Sequence, residues 1–82
     1  MSKSSVDEIC LRAIRHRALF PKRTTFEARL RDDLGIDSFS SLNLVGDLER
    51  EFNIEVPEAE LTAKNFSTVA SLIDLVKRLI EK

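Results

Sequence analysis

The residues of this chain best suited to chemistry are Asp37 and Ser38, which follow a glycine at position 35 and open an amphipathic segment. Asp and Ser are both favoured as caps of a helix N-terminus, and Gly35 can adopt backbone angles that other residues avoid. The pattern therefore displays one serine hydroxyl on a turn at the positive end of a helix, which suits an attached or approaching phosphate. A serine at this position can equally be a helix cap and nothing more.

The rest of the chain offers this serine no catalytic partners. His16 is the one histidine, and no second nucleophile or acid is spaced to serve it, so a protease- or glycosidase-type role for Ser38 is disfavoured. The sequence has no Cys/His cluster that predicts a metal site and no glycine-rich loop that predicts a nucleotide site. We therefore expect no catalytic residue and no metal ligand set in this chain.

The first third of the chain predicts one helix followed by a long connection. Helix one should begin at Ser5, because Ser5 and Glu8 have the spacing of a capping box, and it should end at Phe20-Pro21. Its apolar stripe comprises Val6, Ile9, Cys10, Ala13 and Ile14. The connection after it should contain a short helical turn around Phe26–Arg31, beneath which Phe26, Leu30 and Leu34 pack.

The remaining sequence predicts three more helices. Helix two should run from Ser38 to Phe52 and end at Asn53 in a left-handed conformation, and a short third helix should start at Pro57 and be anchored by Leu61. The stripe of helix two is Leu42, Val45, Leu48, Glu49 and Phe52. Helix four, capped by Ser67 or Thr68, has the stripe Val69, Leu72, Ile73, Val76 and Ile80, widened by Leu75 and Leu79. The expected fold is all-α: a small antiparallel four-helix bundle of three longer helices and one short helix.

Composition and charge narrow the functional classes. The 82 residues suit a single domain spanning 1–82, and the single Cys10 cannot form an internal disulfide, which favours a reducing compartment. The N-terminus lacks the apolar core of a signal peptide, and no apolar run has membrane-spanning length, so we expect a cytoplasmic protein. Eight basic and three acidic residues precede Asp32, whereas five basic and eleven acidic residues occupy the remainder. The acidic second part disfavours nucleic-acid binding.

The segment around the Asp-Ser pair resembles the signature of acyl carrier proteins. The likeness begins with Asp-Leu-Gly-Ile-Asp-Ser-Phe at positions 33–39. It continues through Leu42, Leu44-Val45, Leu48-Glu49, Glu51-Phe52 and Ile54-Glu55-Val56-Pro57, and it spans nearly the whole chain. In that family the serine of the Asp-Ser pair carries a 4′-phosphopantetheine arm, so the resemblance implies this modification at Ser38.

The resemblance implies a carrier that catalyses nothing itself. A phosphopantetheinyl transferase would direct the Ser38 hydroxyl onto the pyrophosphate of coenzyme A, with Asp37 helping to hold magnesium on the transferase side. The arm would then carry an acyl or aminoacyl group as a thioester and present it to ligases, synthases or transferases. We expect the protein to be a monomer.

Helix two is the surface that partner enzymes of this family usually contact. The residues we expect to contact partners are Phe39, Asn43, Gly46, Asp47, Arg50 and Glu51. Asn43 stands where an acid is common and Arg50 interrupts an acidic pair, so the helix departs from the usual fatty-acid pattern. These departures favour a specialised carrier in a secondary-metabolite, modified-lipid or aminoacyl pathway.

Two alternatives stay open at this point. Phe39 directly after the serine resembles the D-alanyl carrier of teichoic acid assembly, which would make the cargo an amino acid. An interaction module with no prosthetic group would also explain the bundle and the segregated charges, but it would leave the Asp-Ser turn unexplained.

Overall fold

Three α-helices dominate the computed structural model, which describes residues 5–81. They are α1 (Val6–Arg17), α2 (Ser38–Phe52) and α3 (Val69–Ile80). Two single turns of 3-10 helix, Pro21–Arg23 and Glu58–Glu60, lie in the connections. Helix α1 packs against both α2 and α3. Within the described residues there is no β-strand, only an isolated bridge between Arg29 and Thr68, so the all-α prediction is confirmed.

Local sequence signals set where each helix begins. The Ser5 hydroxyl accepts from the Glu8 backbone and the Glu8 carboxylate accepts from the Ser5 backbone, so the predicted capping box of α1 is confirmed. Thr68, rather than Ser67, caps α3 in the same reciprocal way with Ser71. Helix α2 has the predicted bounds, and Asn53 ends it in the left-handed region at φ 52°.

One buried apolar cluster joins the three helices with the first connection. Leu30, Leu34 and Ile36 of that connection are at most 1% exposed. The helical members of the core are Cys10, Ile14, Leu44, Leu48, Val69, Leu72, Ile73, Leu75 and Val76. Leu30 and Leu34 thus pack under the connection as predicted, and they fix the chain that leads into α2.

The first connection is tied to the start of α3 by backbone hydrogen bonds. The free N–H groups of Val69 and Ala70 in the first turn of α3 donate to the carbonyls of Ala28 and Phe26, at 3.0 and 2.9 Å. The Leu30 N–H donates in turn to the Ser67 carbonyl at 3.1 Å. These bonds order a long link that has little helix of its own.

Several predicted details of the connections are wrong. Helix α1 ends at Arg17 rather than near Phe20, because Ala18 already has extended angles and the Leu19 N–H donates to the Leu34 carbonyl. The segment Phe26–Arg31 contains hydrogen-bonded turns in keeping with the predicted turn, but Phe26 is 44% exposed rather than packed beneath it. The short third helix is only the 3-10 turn Glu58–Glu60, and Leu61 is partly exposed after it.

The predicted stripes are also corrected at two points. On α2, Leu42 is 62% exposed and Leu44 is buried in its place. Both leucines lie three or four residues from the next core position, so spacing alone does not choose between them. On α3, Ile80 in the last turn is 40% exposed, whereas Val76 one turn earlier is 1% exposed.

None of the helices between residues 5 and 81 has the length and apolar character needed to span a bilayer. The same residues contain no group of three or more His, Cys, Asp or Glu side chains arranged to hold a metal ion.

Candidate functional site

Ser38 is the first residue of α2, and its side chain is exposed. Asp37 precedes it in an extended conformation and caps the helix, with Oδ1 accepting from the Ser40 N–H at 2.8 Å. Of the two predicted caps the structure therefore selects Asp37, and the Ser38 hydroxyl is not used for capping. The helix start thus presents an accessible hydroxyl next to a carboxylate that is fixed by a backbone bond.

The Asp37 carboxyl is held in its ionised form. The hydrogen bond from the Ser40 backbone is the largest cause that lowers the pKa of Asp37, and the charge of Arg31 contributes in the same direction. Asp37 is therefore an anion at neutral pH, placed beside the hydroxyl and accessible to a cation.

Gly35 makes the turn that aims Asp37 and Ser38 outward. Its φ of +72° lies in the left-handed region, and a Cβ atom there would come within 3.0 Å of the Leu19 Cβ. Immediately after it, Ile36 is buried and its N–H donates to the Leu30 carbonyl at 2.8 Å. The turn is thereby anchored on both sides of the glycine.

Hydrogen bonds between Asp33 and Arg29 stabilise the segment that precedes this glycine. The Asp33 carboxylate accepts from the Arg29 N–H at 2.8 Å and lies 3.4 Å from the Arg29 Nε. These bonds lower the pKa of Asp33, the backbone bond being the largest cause. Asp33 therefore stabilises the turn that precedes Gly35, whereas Asp37 lies next to the exposed serine.

An apolar groove of about 310 Å³ opens on one side of Ser38. Helix α2 forms one wall and the segment before α3 forms the other. The lining residues are Ser38, Ser41, Leu42, Val45, Leu61, Thr62, Ala63 and Phe66. An extended, weakly polar chain attached to Ser38 would find apolar surface along this groove.

The far wall of the apolar groove is braced by Asn65. Its Nδ2 donates to the Glu60 carbonyl at 2.8 Å, and its own carbonyl accepts from the Ser71 hydroxyl at 3.0 Å. Arg78 donates to the Asn65 Oδ1 at 3.1 Å. The segment between the 3-10 turn Glu58–Glu60 and α3 is therefore fixed on α3, although it contains no regular helix.

A more polar groove of about 390 Å³ also borders Ser38. It shares Ser38, Ser41, Ala63 and Phe66 with the apolar groove. Arg29, Arg31, Asp32 and Asp37 add charge to it. An anionic group on Ser38 would lie at a helix N-terminus, which favours a phosphate, while the two arginines of this groove are balanced by its two aspartates.

The residues predicted to contact partners occupy two places on α2. Phe39 is 74% exposed next to Ser38, Asn43 and Gly46 are partly exposed, and Arg50 and Glu51 are exposed. Asp47 is different, because both of its oxygens accept hydrogen bonds from Arg17 on α1. Leu42 was missed as an exposed residue, since its spacing had assigned it to the core.

His16 lies away from the serine. It lines a groove between α1 and α2 together with Arg12, Asp47 and Arg50, and neither groove beside Ser38 includes a histidine among the described residues. The structure therefore brings Ser38 together with Asp37 and with two adjoining grooves, but among residues 5–81 it assembles no nucleophile-and-base pair there.

Comparisons with known proteins point to one family. The family model described as "Phosphopantetheine attachment site" matches residues 21–76, which include the Gly35 turn, Asp37 and Ser38. The acyl carrier protein of Amoebophilus asiaticus is 41% identical over 66 residues, which are 79% of this chain and 80% of that protein. The acyl carrier protein of Thermotoga maritima is 39% identical over 56 residues, 68% of this chain and 67% of its own length. That of Buchnera aphidicola is 36% identical over 62 residues, 76% of this chain and 77% of that protein.

Proposed function

This chain belongs to the acyl carrier protein family and carries a covalently attached 4′-phosphopantetheine, and from that premise we propose that Ser38 is the residue to which the group is attached. The observation that supports Ser38 is its position as the exposed first residue of α2, with the cap bond supplied by Asp37 instead. Its hydroxyl is thus free to be modified without loss of the helix cap.

The surroundings of Ser38 fit such a group. A phosphodiester on Ser38 would lie at the N-terminus of α2, near Arg31, whose charge already acts on Asp37. The apolar groove lined by Leu42, Val45 and Phe66 offers room for an extended arm. When bound, the group supplies a thiol that holds cargo as a thioester.

We propose distinct tasks for the two residues of the pair. The Ser38 hydroxyl oxygen attacks the phosphorus of coenzyme A that bears the pantetheine arm and loses its proton to a base of the transferase. The P–O bond of the pyrophosphate breaks, and adenosine 3′,5′-bisphosphate leaves with the electron pair. Asp37 uses Oδ1 to cap α2, and we assign its Oδ2 to the magnesium ion that the transferase holds. In this scheme the chain orients the hydroxyl and contributes charge, and the enzymes that load and unload it perform the catalysis.

Proteins of this family interact with synthase and transferase enzymes, and the pathway served by this chain is part of the proposal. Asn43 and Arg50 on α2, together with the basic residues of α1, support a specialised acyl carrier over a housekeeping fatty-acid carrier. Phe39 supports an aminoacyl cargo as the second candidate. The buried, unpaired Cys10 supports a reducing compartment such as the cytoplasm.

The test is the intact mass of the protein after incubation with coenzyme A, magnesium and a broad-specificity phosphopantetheinyl transferase. We expect the parent to gain one phosphopantetheine and Ser38→Ala to gain none. Ser40→Ala and Ser41→Ala are matched controls in the first turn of α2, and both should be modified. A folded, initially unmodified parent that gains no mass would contradict the proposal and would favour an interaction module without a prosthetic group.

A further inference from the structure

The far wall of the apolar groove is formed by residues 61–66, which contain turns but no regular helix and which we call the strap. Hydrogen bonds of Asn65 hold the strap to its surroundings. The Asn65 Nδ2 donates to the Glu60 carbonyl at 2.8 Å and to the Glu60 Oε1 at 3.0 Å. The Asn65 Oδ1 accepts from Arg78 at 3.1 Å, and the Asn65 carbonyl oxygen lies 3.0 Å from the Ser71 hydroxyl. Since Ser71 and Arg78 both belong to α3, these bonds join the strap to the bundle.

The partners of the Asn65 side chain require an amide. Its Nδ2 faces two acceptors of Glu60, and its Oδ1 faces Arg78, which can only donate. An aspartate at position 65 would set a carboxylate oxygen against both acceptors, and an alanine would leave all of these groups without their partner. The ion pair between Arg78 and Glu60 is long, at 3.7 Å, and partly exposed, so it adds little by itself. The brace therefore depends on Asn65.

The core of the bundle beside this groove is filled by side chains. Val45, which lines the groove, is 9% exposed, and the core residues Leu44, Leu48 and Leu72 are at most 1% exposed. Protein interiors packed in this way have few voids larger than a water molecule. An acyl chain could therefore enter the bundle only if the strap moved away from α2, and the bonds of Asn65 oppose that movement.

The apolar groove is too small to cover both the arm and its cargo. A cavity of about 150 Å³ holds one benzene molecule, so the groove volume of about 310 Å³ has room for roughly two groups of that size. The phosphopantetheine arm alone is larger than this. Leu42 and Leu61, which line the groove, are 62% and 39% exposed. A chain that lies against them therefore stays in contact with water.

We propose that Asn65 is a positioning residue that fixes the strap and thereby keeps the cargo of this carrier on the surface of the bundle instead of inside it. The inference rests on the proposed carrier function and adds the class of cargo. Because each methylene group left in water is unfavourable, cargo held on the surface is best short or polar. The thioester that joins the cargo to the arm is then accessible to solvent whatever the length of the acyl chain.

The experiment measures how fast hydroxylamine cleaves the thioester as the acyl chain grows. A broad-specificity transferase loads the chain from the acetyl, butanoyl, octanoyl and dodecanoyl thioesters of coenzyme A. The hydroxylamine nitrogen attacks the carbonyl carbon, the C–S bond breaks, and the sulfur leaves as the thiol of the arm. Each rate is divided by that of the same acyl group on coenzyme A. For wild type we expect this ratio to stay within about threefold across the series, whereas in Asn65→Asp and Asn65→Ala the dodecanoyl ratio should fall at least about tenfold below the acetyl ratio, because a released strap lets the chain be buried.

Amide hydrogen exchange tests the strap in the chain without the arm. The Phe66 N–H donates to the Thr62 carbonyl at 3.1 Å, and both Asn65 variants should exchange this proton at least about tenfold faster than wild type.

Two matched controls repeat the chemical changes away from the strap. Lys77→Ala removes a cation of α3 that pairs with Asp7 of α1, and Asn53→Asp makes the same amide-to-acid change at the end of α2. Their cleavage ratios and their Phe66 exchange should stay within about twofold of wild type. Thermal unfolding shows whether each variant is folded. Arg78→Ala, which removes one bond of the brace, should give values between those of wild type and the Asn65 variants.

Two results would overturn the proposal. The first is a wild-type ratio that falls about tenfold or more from acetyl to dodecanoyl, which would place the cargo inside the bundle with the brace intact. The second is a set of cleavage ratios in folded Asn65 variants equal to those of wild type, which would show that the strap does not decide where the cargo lies. Failure of the carrier function is distinguishable, because the wild-type chain would then gain no mass from any thioester, while the exchange of the Phe66 amide would still report on the strap.

Discussion

Asp47 in the middle of α2 is held at both carboxylate oxygens by Arg17, the last residue of α1. The Arg17 Nε donates to Oδ2 at 2.7 Å and its Nη2 donates to Oδ1 at 2.9 Å, which is the bidentate geometry of strong arginine–carboxylate pairs. Because the two residues are thirty positions apart in the chain, this pair joins α1 to α2 directly. It also takes Asp47 out of the set of charges that face a partner.

We predict that Asp47→Asn destabilises the protein in a pH-dependent way. The hydrogen bonds from Arg17 are the largest cause that lowers the pKa of Asp47 below its ordinary 3.8. The carboxylate therefore contributes stability above about pH 4, and this contribution is lost as pH falls through the lowered pKa. At pH 7 the variant should have a Tm at least about 5 °C below that of wild type. In strong acid the stabilities of the variant and of wild type should become equal.

Denaturant unfolding of wild type and Asp47→Asn from pH 7 down to about pH 2 checks this prediction. Asp33 and Asp37 also have lowered pKa values, so the wild type loses stability in acid for several reasons. Only the difference between wild type and variant isolates Asp47. A difference that stays the same at both ends of the range would contradict the assigned cause.

We predict that Asp37→Ala lowers both stability and loading, whereas Asp37→Asn separates them. Removal of the cap on α2 should lower Tm by about 5 °C, because the Ser40 N–H loses its acceptor. The asparagine variant keeps an oxygen for that bond, so its Tm should fall by less than half as much. Both variants should load more slowly at limiting magnesium. If Asp37→Asn loads at the wild-type rate, the carboxylate serves only as a cap.

The two glycines of the chain should respond to alanine with opposite signs. Gly35→Ala places a Cβ atom at φ +72° and 3.0 Å from the Leu19 Cβ, so it should cost at least about 1–2 kcal/mol in the free energy of unfolding. Gly46→Ala places a Cβ atom in ordinary contact with the Arg50 Nη1 at 3.7 Å, within a helix, and should add up to about 1 kcal/mol. Urea unfolding of both variants at pH 7 measures the difference. A stabilising change at Gly35 would contradict the geometry of the turn.

Local features of the fold could be predicted because their causes lie within a few residues. The capping box at Ser5, the start of α2 after Asp37 and the left-handed Asn53 each depend on short-range hydrogen bonds or backbone preferences. The resemblance of the Asp-Ser segment to acyl carrier proteins added the family, which the comparisons confirm. Ser38 as the attachment residue stays a prediction until its modification is measured.

Features set by tertiary contacts could not be predicted in the same way. Leu42 and Leu44 both fit the helical spacing of α2, and only the packing of α1 and α3 determines that Leu44 is buried. The charges of Asp47 and Arg50 predicted contact with a partner. The pairing of Asp47 with Arg17 could not be predicted, because it depends on how α1 crosses α2. Leu61 is exposed beside the apolar groove because the segment there forms only a 3-10 turn.

Cys10 leads to a prediction that separates the thiol of the protein from the thiol of the attached arm. The Cys10 side chain is fully buried between the helices, and burial raises its pKa to about 12, with a smaller contribution from Asp7. The reactive thiolate is therefore scarce at neutral pH and inaccessible to reagent. We predict that the native chain without the arm does not react with a disulfide reagent at pH 8 on the timescale of minutes.

Attachment of the arm should add one thiol that reacts with the disulfide reagent in the native state. When the chain carries the arm without cargo, the terminal thiol of the arm reacts with one equivalent of reagent in the native state. Unfolding in denaturant should expose Cys10, which then consumes a second equivalent. Cys10→Ala, loaded in the same way, is the control and should give one equivalent both native and unfolded, since only the arm then carries a thiol. A native unloaded chain that reacts rapidly at Cys10 would contradict the buried position. A chain that carries the arm without cargo and shows no reactive thiol in the native state would instead show that the arm is shielded, and the apolar groove beside Ser38 is the surface available to shield it.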